Sequence, residues 1–222
     1  MSGMREVRLQ IPVTHEDLAK LELGDVVYLD GLVYTGREGL YKRLIDDGVP
    51  PPVDLASLSN VNFHCSPAAS VEADGSFRVG AVTATASFRF SRWLTEWFKL
   101  SHCKIIIGKG GMSEADYKEH FVPNGAVYLT TVGYGTGALL GRGVKRVENV
   151  YWLEEMGIAQ ALWVFEVERF GPFLVESDLA GNGLFDREGR RVNALTQHLY
   201  DGLRQPALRR YGETTDRNDE VI

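Results

Sequence analysis

With 222 residues, 44% of them hydrophobic, the chain is long enough to bury a sizeable core. Lys and Arg total 24 against 30 Asp and Glu, and the net charge of −6 argues against a nucleic-acid partner, which would favour a basic face. No apolar run approaches the roughly 20 residues of a membrane-spanning helix, and Met1 to Gln10 alternates charged and apolar side chains unlike a signal peptide, so a cytoplasmic protein with no membrane contact is expected.

In chain order, Val7 to Pro12 reads as a short strand, and Thr14 to Asp17 as a capped helix start. Val26-Val27-Tyr28-Leu29 and Gly31-Leu32-Val33-Tyr34 are predicted as two strands of a hairpin turning at Asp30-Gly31. Leu40, Leu44 and Ile45 share one face of a helix that Arg37 precedes or opens and that stops before Gly48 and Pro50-Pro51-Pro52. Val61 to Cys65 and Phe77 to Val82 form a second expected hairpin around Ala73-Asp74-Gly75, followed by an aromatic-rich helix from Phe88 to Leu100. Lys104 to Ile107 is an apolar strand that runs into Gly108-Lys109-Gly110-Gly111, after which Ser113 to Asp116 opens another capped helix. Further strands are expected at Ala126 to Thr131, Val147 to Trp152, Ala161 to Val167 and Phe173 to Ser177. A glycine-rich segment from Gly133 to Gly143 and a late helix from Thr196 to Arg204 complete the pattern. Mixed hairpins and strand–loop–helix units indicate an α/β domain with a mixed sheet over residues 1–208. Residues 209–222 read as a polar, flexible tail.

The two cysteines, Cys65 and Cys103, are too few for a disulfide framework, and no Cys-x-x-Cys pair or Cys/His cluster has metal-ligand spacing. They read as small buried hydrophobes, and neighbouring His64 and His102 do not alter that. Lys109, set among Gly108, Gly110 and Gly111, suits an oxyanion, since backbone amides and one cation can approach it closely; the alternative is a tight structural turn. Its spacing is not that of a phosphate-binding P-loop, which leaves a nucleotide site with little support. Arg37 and Arg89 each stand where a strand or loop passes into a helix, a place suited to a carboxylate or equally to a solvated surface arginine. Thr85, in Thr83-Ala84-Thr85-Ala86-Ser87-Phe88-Arg89, either faces a polar ligand or serves as a cap or strand residue. Trp93, Trp97 and Phe98 follow helical spacing and are expected in the core, as are Trp152 and Trp163.

Taken in order, these pieces resemble the C-terminal domain of class I fumarases and the beta subunit of L(+)-tartrate dehydratase. The segment from Tyr34-Thr35-Gly36-Arg37-Glu38 to Lys42-Arg43-Leu44 is similar to that family's Arg-Asp-containing helix start, and His64-Cys65-Ser66-Pro67 to its strand-ending Gly-Pro motif. Thr85 to Arg89 resembles the Thr-Thr-Ser-x-Arg segment, and Gly108 to Met112 the Lys-Gly-Gly-Met loop. Val150 to Gly157, Leu162-Trp163-Val164 and Asp178 to Asn182 are similar to the closing blocks, so the resemblance runs from about Val7 to about Phe185.

The resemblance implies a single swivelling β/β/α-type domain acting in a hetero-oligomer with a cysteine-bearing alpha subunit. That subunit would carry the four-iron four-sulfur cluster, with no cofactor or metal ligand in this chain. It implies hydration or dehydration of a small dicarboxylate such as fumarate, malate or L-tartrate. Arg37, Arg89, Lys109 and Gly110 would bind substrate, and Thr85 with Lys109 would be catalytic, Thr85 as the base. The sequence departs from the family pattern at Glu38, Tyr41, Ser66, Thr83-Ala84, Ala86 and Phe90. Those departures motivate a rival reading, a non-catalytic dicarboxylate-binding or assembly paralogue.

Overall fold

The protein is seen in a computed structural model that describes residues 4–133, 135–199, 201 and 202. They fall into two compact units, one ending at Arg187 and one starting at Glu188.

The chain runs through β1 (Glu6–Gln10), α1 (His15–Ala19), β2 (Val26–Thr35), and α2 (Glu38–Tyr41) with a π-helical turn over Lys42–Asp46. Next come α3 (Leu55–Leu58), β3 (Val61–Phe63), β4 (Cys65–Val71), β5 (Phe77–Ala84), and a 3-10 turn over Phe88–Trp93 that leads into α4 (Leu94–Ser101). β6 (Ile105–Gly108), α5 (Glu114–Asp116) with a π-helical turn over Tyr117–Phe121, and β7 (Val127–Thr131) follow. The chain then forms α6 (Gly137–Gly143), β8 (Val144–Tyr151), α7 (Leu153–Met156), β9 (Leu162–Val175) and α8 (Leu184–Leu199). Both expected helix starts carry full capping boxes, Thr14 with Asp17 and Ser113 with Asp116.

The main sheet has the order β1-β2-β3-β6-β7-β9-β8, and β2 also pairs with β9, so the pairings β2-β3-β6-β7-β9 close on themselves. β1, β2, β3, β6 and β7 pair in parallel, while β9 is antiparallel to β2, β7 and β8. This is the α/β class with a mixed sheet that the sequence indicates. Strand alternation divides the buried residues between two cores. Ile105 and Ile107 join Val27, Leu29, Phe63, Leu129, Phe165 and Phe173 in one. Ile106 joins Tyr34, Tyr41, Trp97, Phe98 and Tyr128 in the other. Trp93, Trp97, Phe98 and Trp163 are core residues, as expected, and Trp152 is partly buried against the second core.

Four sequence expectations need correction. Val26 to Tyr34 is no hairpin: Gly31 absorbs a bulge within one long strand, at φ 120° with its missing Cβ directed 2.9 Å from the Ile11 carbonyl oxygen. Pairing with β9 shifts register there, between Leu29 and Gly31. Ala161 to Val167 and Phe173 to Ser177 likewise belong largely to one strand, β9, which has β2 on one side and first β8, then β7 on the other. The second hairpin is built from Cys65–Val71 and Phe77–Ala84, whereas Val61–Phe63 enters the main sheet beside β2 and β6. Finally, the late helix begins at Leu184, well before Thr196, with Gly189 inside it. The part of the expected helix beyond Gly202 and the tail at 209–222 lie outside the described residues. Among the described residues no helix is long and apolar enough to cross a membrane.

Candidate functional site

Parallel pairing of β2, β3 and β6 brings their carboxyl ends to one end of the sheet, where parallel strands of α/β folds, closed or open, collect functional loops. Arg37 follows β2, His64 follows β3 and Lys109 follows β6. The β4–β5 hairpin then returns the chain to the same end with Thr85. Backbone bonds fasten these segments together: the His64 amide donates to the Ile107 carbonyl at 2.8 Å, the Thr85 amide to the His64 carbonyl at 2.7 Å, and the Lys109 amide to the Thr85 carbonyl at 3.1 Å. Ala86 and Lys109 form a parallel bridge.

On this frame Arg89 Nη2 donates to Thr85 Oγ1 at 2.9 Å. The Arg89 side chain is about half exposed and faces Glu38 at 3.9 Å, so its charge is only loosely neutralised within the chain. Arg37 occupies the N-cap position of α2 with extended backbone, and its Nη1 donates to the Ala159 carbonyl at 3.4 Å. Its Nε is buried without a hydrogen-bond partner, a donor whose desolvation is uncompensated until an acceptor arrives. Arg37 thus opens a helical stretch that runs through α2 and its π-helical turn to Asp46, and Arg89 lies in the 3-10 turn that leads into α4. The guanidinium groups themselves carry the charge.

The loop after β6 turns through Gly110 and Gly111, at φ 88° and 103°. The Gly110 amide is directed to Thr130 Oγ1 at 3.3 Å, so that donor is already engaged. The Met112 amide donates to Tyr117 OH at 2.8 Å, and Tyr117 in turn donates to the buried Glu176 carboxylate. Burial pushes Glu176 up to about 7, against the opposing hydrogen bonds from Tyr117 and the Phe185 amide. Lys109 also lines an open cavity of about 370 Å³ together with Thr83, Ala84, Thr131 and Thr136. Of the candidate residues, Lys109 alone lines that cavity; Arg89 bonds Thr85, whose carbonyl holds the Lys109 amide, whereas Arg37 bonds the Ala159 carbonyl.

Sequence reading missed the polar groups behind this surface, namely Tyr41, His64, Ser87, Tyr128 and Glu176. His64 was visible as a histidine at a strand end, but its partners come from separate segments. The two cysteines are buried as expected, and burial pushes both thiols up, Cys103 to about 12. Among the described residues no group of three or more His, Cys, Asp or Glu is arranged to hold a metal ion.

Comparisons with known proteins identify the family. The family model described as the fumarase C-terminus matches residues 1–188. A Methanocaldococcus jannaschii protein provisionally named L(+)-tartrate dehydratase subunit beta is 36% identical over 183 residues, covering 81% of this chain and 91% of that protein. The L(+)-tartrate dehydratase subunit beta of Escherichia coli K12 is 32% identical over 200 residues, 86% of this chain and 96% of its own length. A Geobacillus stearothermophilus protein provisionally named fumarate hydratase class I is 34% identical over 200 residues, 88% of this chain but 37% of that longer protein. With the family model spanning most of its length, the chain belongs to the fumarase C-terminus family.

Proposed function

We propose that the chain is the beta subunit of a two-chain hydro-lyase that adds water to, or removes it from, a small dicarboxylic acid of the L-tartrate or fumarate class. The observation that carries this reading is the Arg89 guanidinium bonded to the Thr85 hydroxyl, with the Lys109 amide bonded to the Thr85 carbonyl, in a chain of this family. Relatives named as beta subunits over nearly their whole length support a separate alpha subunit as partner. In the longer fumarate hydratase relative, the matching segment is 37% of one chain.

The chemistry follows from charge. Removing a proton alpha to a carboxylate spreads negative charge onto that carboxylate, and cations held in place beforehand stabilise it at no reorganisation cost. Arg37 and Arg89 can hold carboxylates bidentately, while Lys109 supplies a point charge in the lining of its cavity. Thr85 is the base in this reading, because a guanidinium donating into its oxygen stabilises the alkoxide relative to the alcohol. The four-iron four-sulfur cluster is assigned to the alpha subunit, since no ligand set for it exists among the described residues here. A cytoplasmic location completes the proposal.

Anaerobic co-production with an alpha-type chain, followed by assays of L-tartrate dehydration and fumarate hydration, tests the reading. Turnover of either acid by the pair, and by neither chain alone, is the expected result. A stable pair with its cluster intact that binds a dicarboxylate but does not turn over any would contradict it and favour the non-catalytic paralogue.

A further inference from the structure

Behind the cationic surface lies a chain of buried hydroxyl and imidazole groups that the proposed chemistry leaves unused. Tyr41 OH lies 2.6 Å from His64 Nε2, His64 Nδ1 lies 2.7 Å from Ser87 Oγ, and Ser87 Oγ lies 2.7 Å from Tyr128 OH. Tyr41 also donates to Asn62 Oδ1 at 3.1 Å, and Asn62 Nδ2 donates to the Tyr34 carbonyl at 3.3 Å. Tyr41, His64, Ser87 and Tyr128 are all fully buried, and Tyr41 and Phe90 pack edge-on against the His64 ring.

Donors and acceptors balance along this chain. Burial pushes the His64 imidazole down to about 3, so the ring is neutral and has one N–H. If Tyr41 donates to Asn62, His64 Nε2–H donates to Tyr41, Nδ1 accepts the Ser87 hydroxyl proton, and Ser87 accepts from Tyr128. Each hydroxyl and each ring nitrogen has a partner, and a fully satisfied buried network of this kind is rigid.

Its position gives that rigidity a use. Ser87 sits between Thr85 and Arg89, and it presses on the strand end that carries Lys109. A Cβ added to Gly108 would lie 2.0 Å from Ser87 Oγ and 2.3 Å from Tyr128 OH. Glycine at 108 therefore lets the network and the Lys109 strand come into direct contact. Two anchors result: backbone bonds join Thr85 to His64 and Lys109 from above, and side-chain bonds join Ser87 to His64 and Tyr128 from below.

We infer that Tyr41, His64, Ser87 and Tyr128 form a positioning network that locks the Thr85–Arg89 segment against Lys109, so that base and cations meet one substrate as a unit. The inference rests on the hydro-lyase reading of Thr85, Arg89 and Lys109. The network residues are positioning residues, acting through the groups they hold.

The test uses the reconstituted two-chain complex with Ser87→Ala, Tyr41→Phe and Gly108→Ala, together with His64→Asn and His64→Ala. Tyr41→Phe retains the aromatic packing on Phe90, Trp93 and Trp97 and so keeps the fold while removing one hydroxyl. The expected result is a fall in kcat of roughly 10- to 100-fold with KM changed no more than about threefold, as for reacting groups moved by a fraction of an ångström. His64→Asn, which keeps a polar group for Ser87, recovers part of the rate lost in His64→Ala. Gly108→Ala and Ser87→Ala together cost no more than either alone.

Hydrogen exchange on the full-length chain supplies a readout independent of turnover. The amides of Thr85 and Lys109 exchange at least about tenfold faster in Ser87→Ala, while those of β1 and β8 keep their wild-type rates. Variants with wild-type kcat in an active complex overturn the positioning role and leave the hydro-lyase reading standing. A wild-type complex inactive on both acids overturns that reading, and unchanged exchange at Thr85 and Lys109 then overturns the network's role as well.

Discussion

Arg89 Nη2 donates a 2.9 Å hydrogen bond to Thr85 Oγ1, placing a permanent cation on the hydroxyl proposed as base. Lysine at position 89 would keep the charge but lose the planar fork that can bond Thr85 and a carboxylate at once. Arg89→Lys is expected to lower kcat/KM of the complex roughly 100-fold with an unchanged melting midpoint. Glu38→Gln removes only a 3.9 Å exposed contact and should change the rate less than about threefold. Steady-state rates on both substrates, read beside thermal unfolding, check both expectations.

Arg37 presents a buried Nε with no hydrogen-bond partner, an unsatisfied donor. Replacing it with Met should leave the ligand-free complex at least as stable as wild type. Saturating L-tartrate or fumarate should then raise the melting midpoint of the wild type but not of Arg37→Met. A calorimetric scan with and without the acid checks this; equal shifts in the two proteins would remove Arg37 from the binding site.

Glu176 ties the Lys109 loop to pH through Tyr117. Its folded value of about 7 lies above the roughly 4.3 of an exposed glutamate, so the fold prefers the protonated form. This contribution to stability is fully present below about 4.3 and is lost as pH rises through about 7. The neighbouring Asp186 acts in the same direction, while the Tyr117 and Phe185 hydrogen bonds oppose it. Glu176→Gln removes the titration. Urea midpoints should therefore move in the variant's favour between pH 5 and pH 8, and a pH-independent difference would refute the assignment.

Cys65 and Cys103 are almost completely buried, with thiols pushed up by that burial. Neither should react with a thiol reagent such as Ellman's in the native chain, and both should react on unfolding. Stoichiometric labelling under native conditions would contradict their placement.

How far the sequence foretold this molecule varies with the range of the interactions. Arg37, Thr85, Arg89 and Lys109 stand out in the sequence as candidates because each sits in a local pattern of strand end, glycine or hydroxyl run, and helix or turn start. The capping boxes at Thr14 and Ser113 were legible for the same reason. The long strands β2 and β9 were not: Asp30-Gly31 and Gly171-Pro172 signal a turn locally, yet here they fall inside strands whose pairings close into a ring. Nor was the Tyr41–His64–Ser87–Tyr128 network, since its members come from four separate segments and only the folded topology brings them within hydrogen-bond distance.

Lys109, with Arg37, Arg89 and Thr85, is proposed to serve a dicarboxylate hydro-lyase. The most direct measurement is the rate of L-tartrate dehydration and fumarate hydration by the anaerobically reconstituted complex, for wild type and Lys109→Ala. Turnover of at least one acid that falls roughly 1,000-fold or more in Lys109→Ala, with the complex and its cluster intact, is the predicted result. Equal rates in the two proteins would contradict the account.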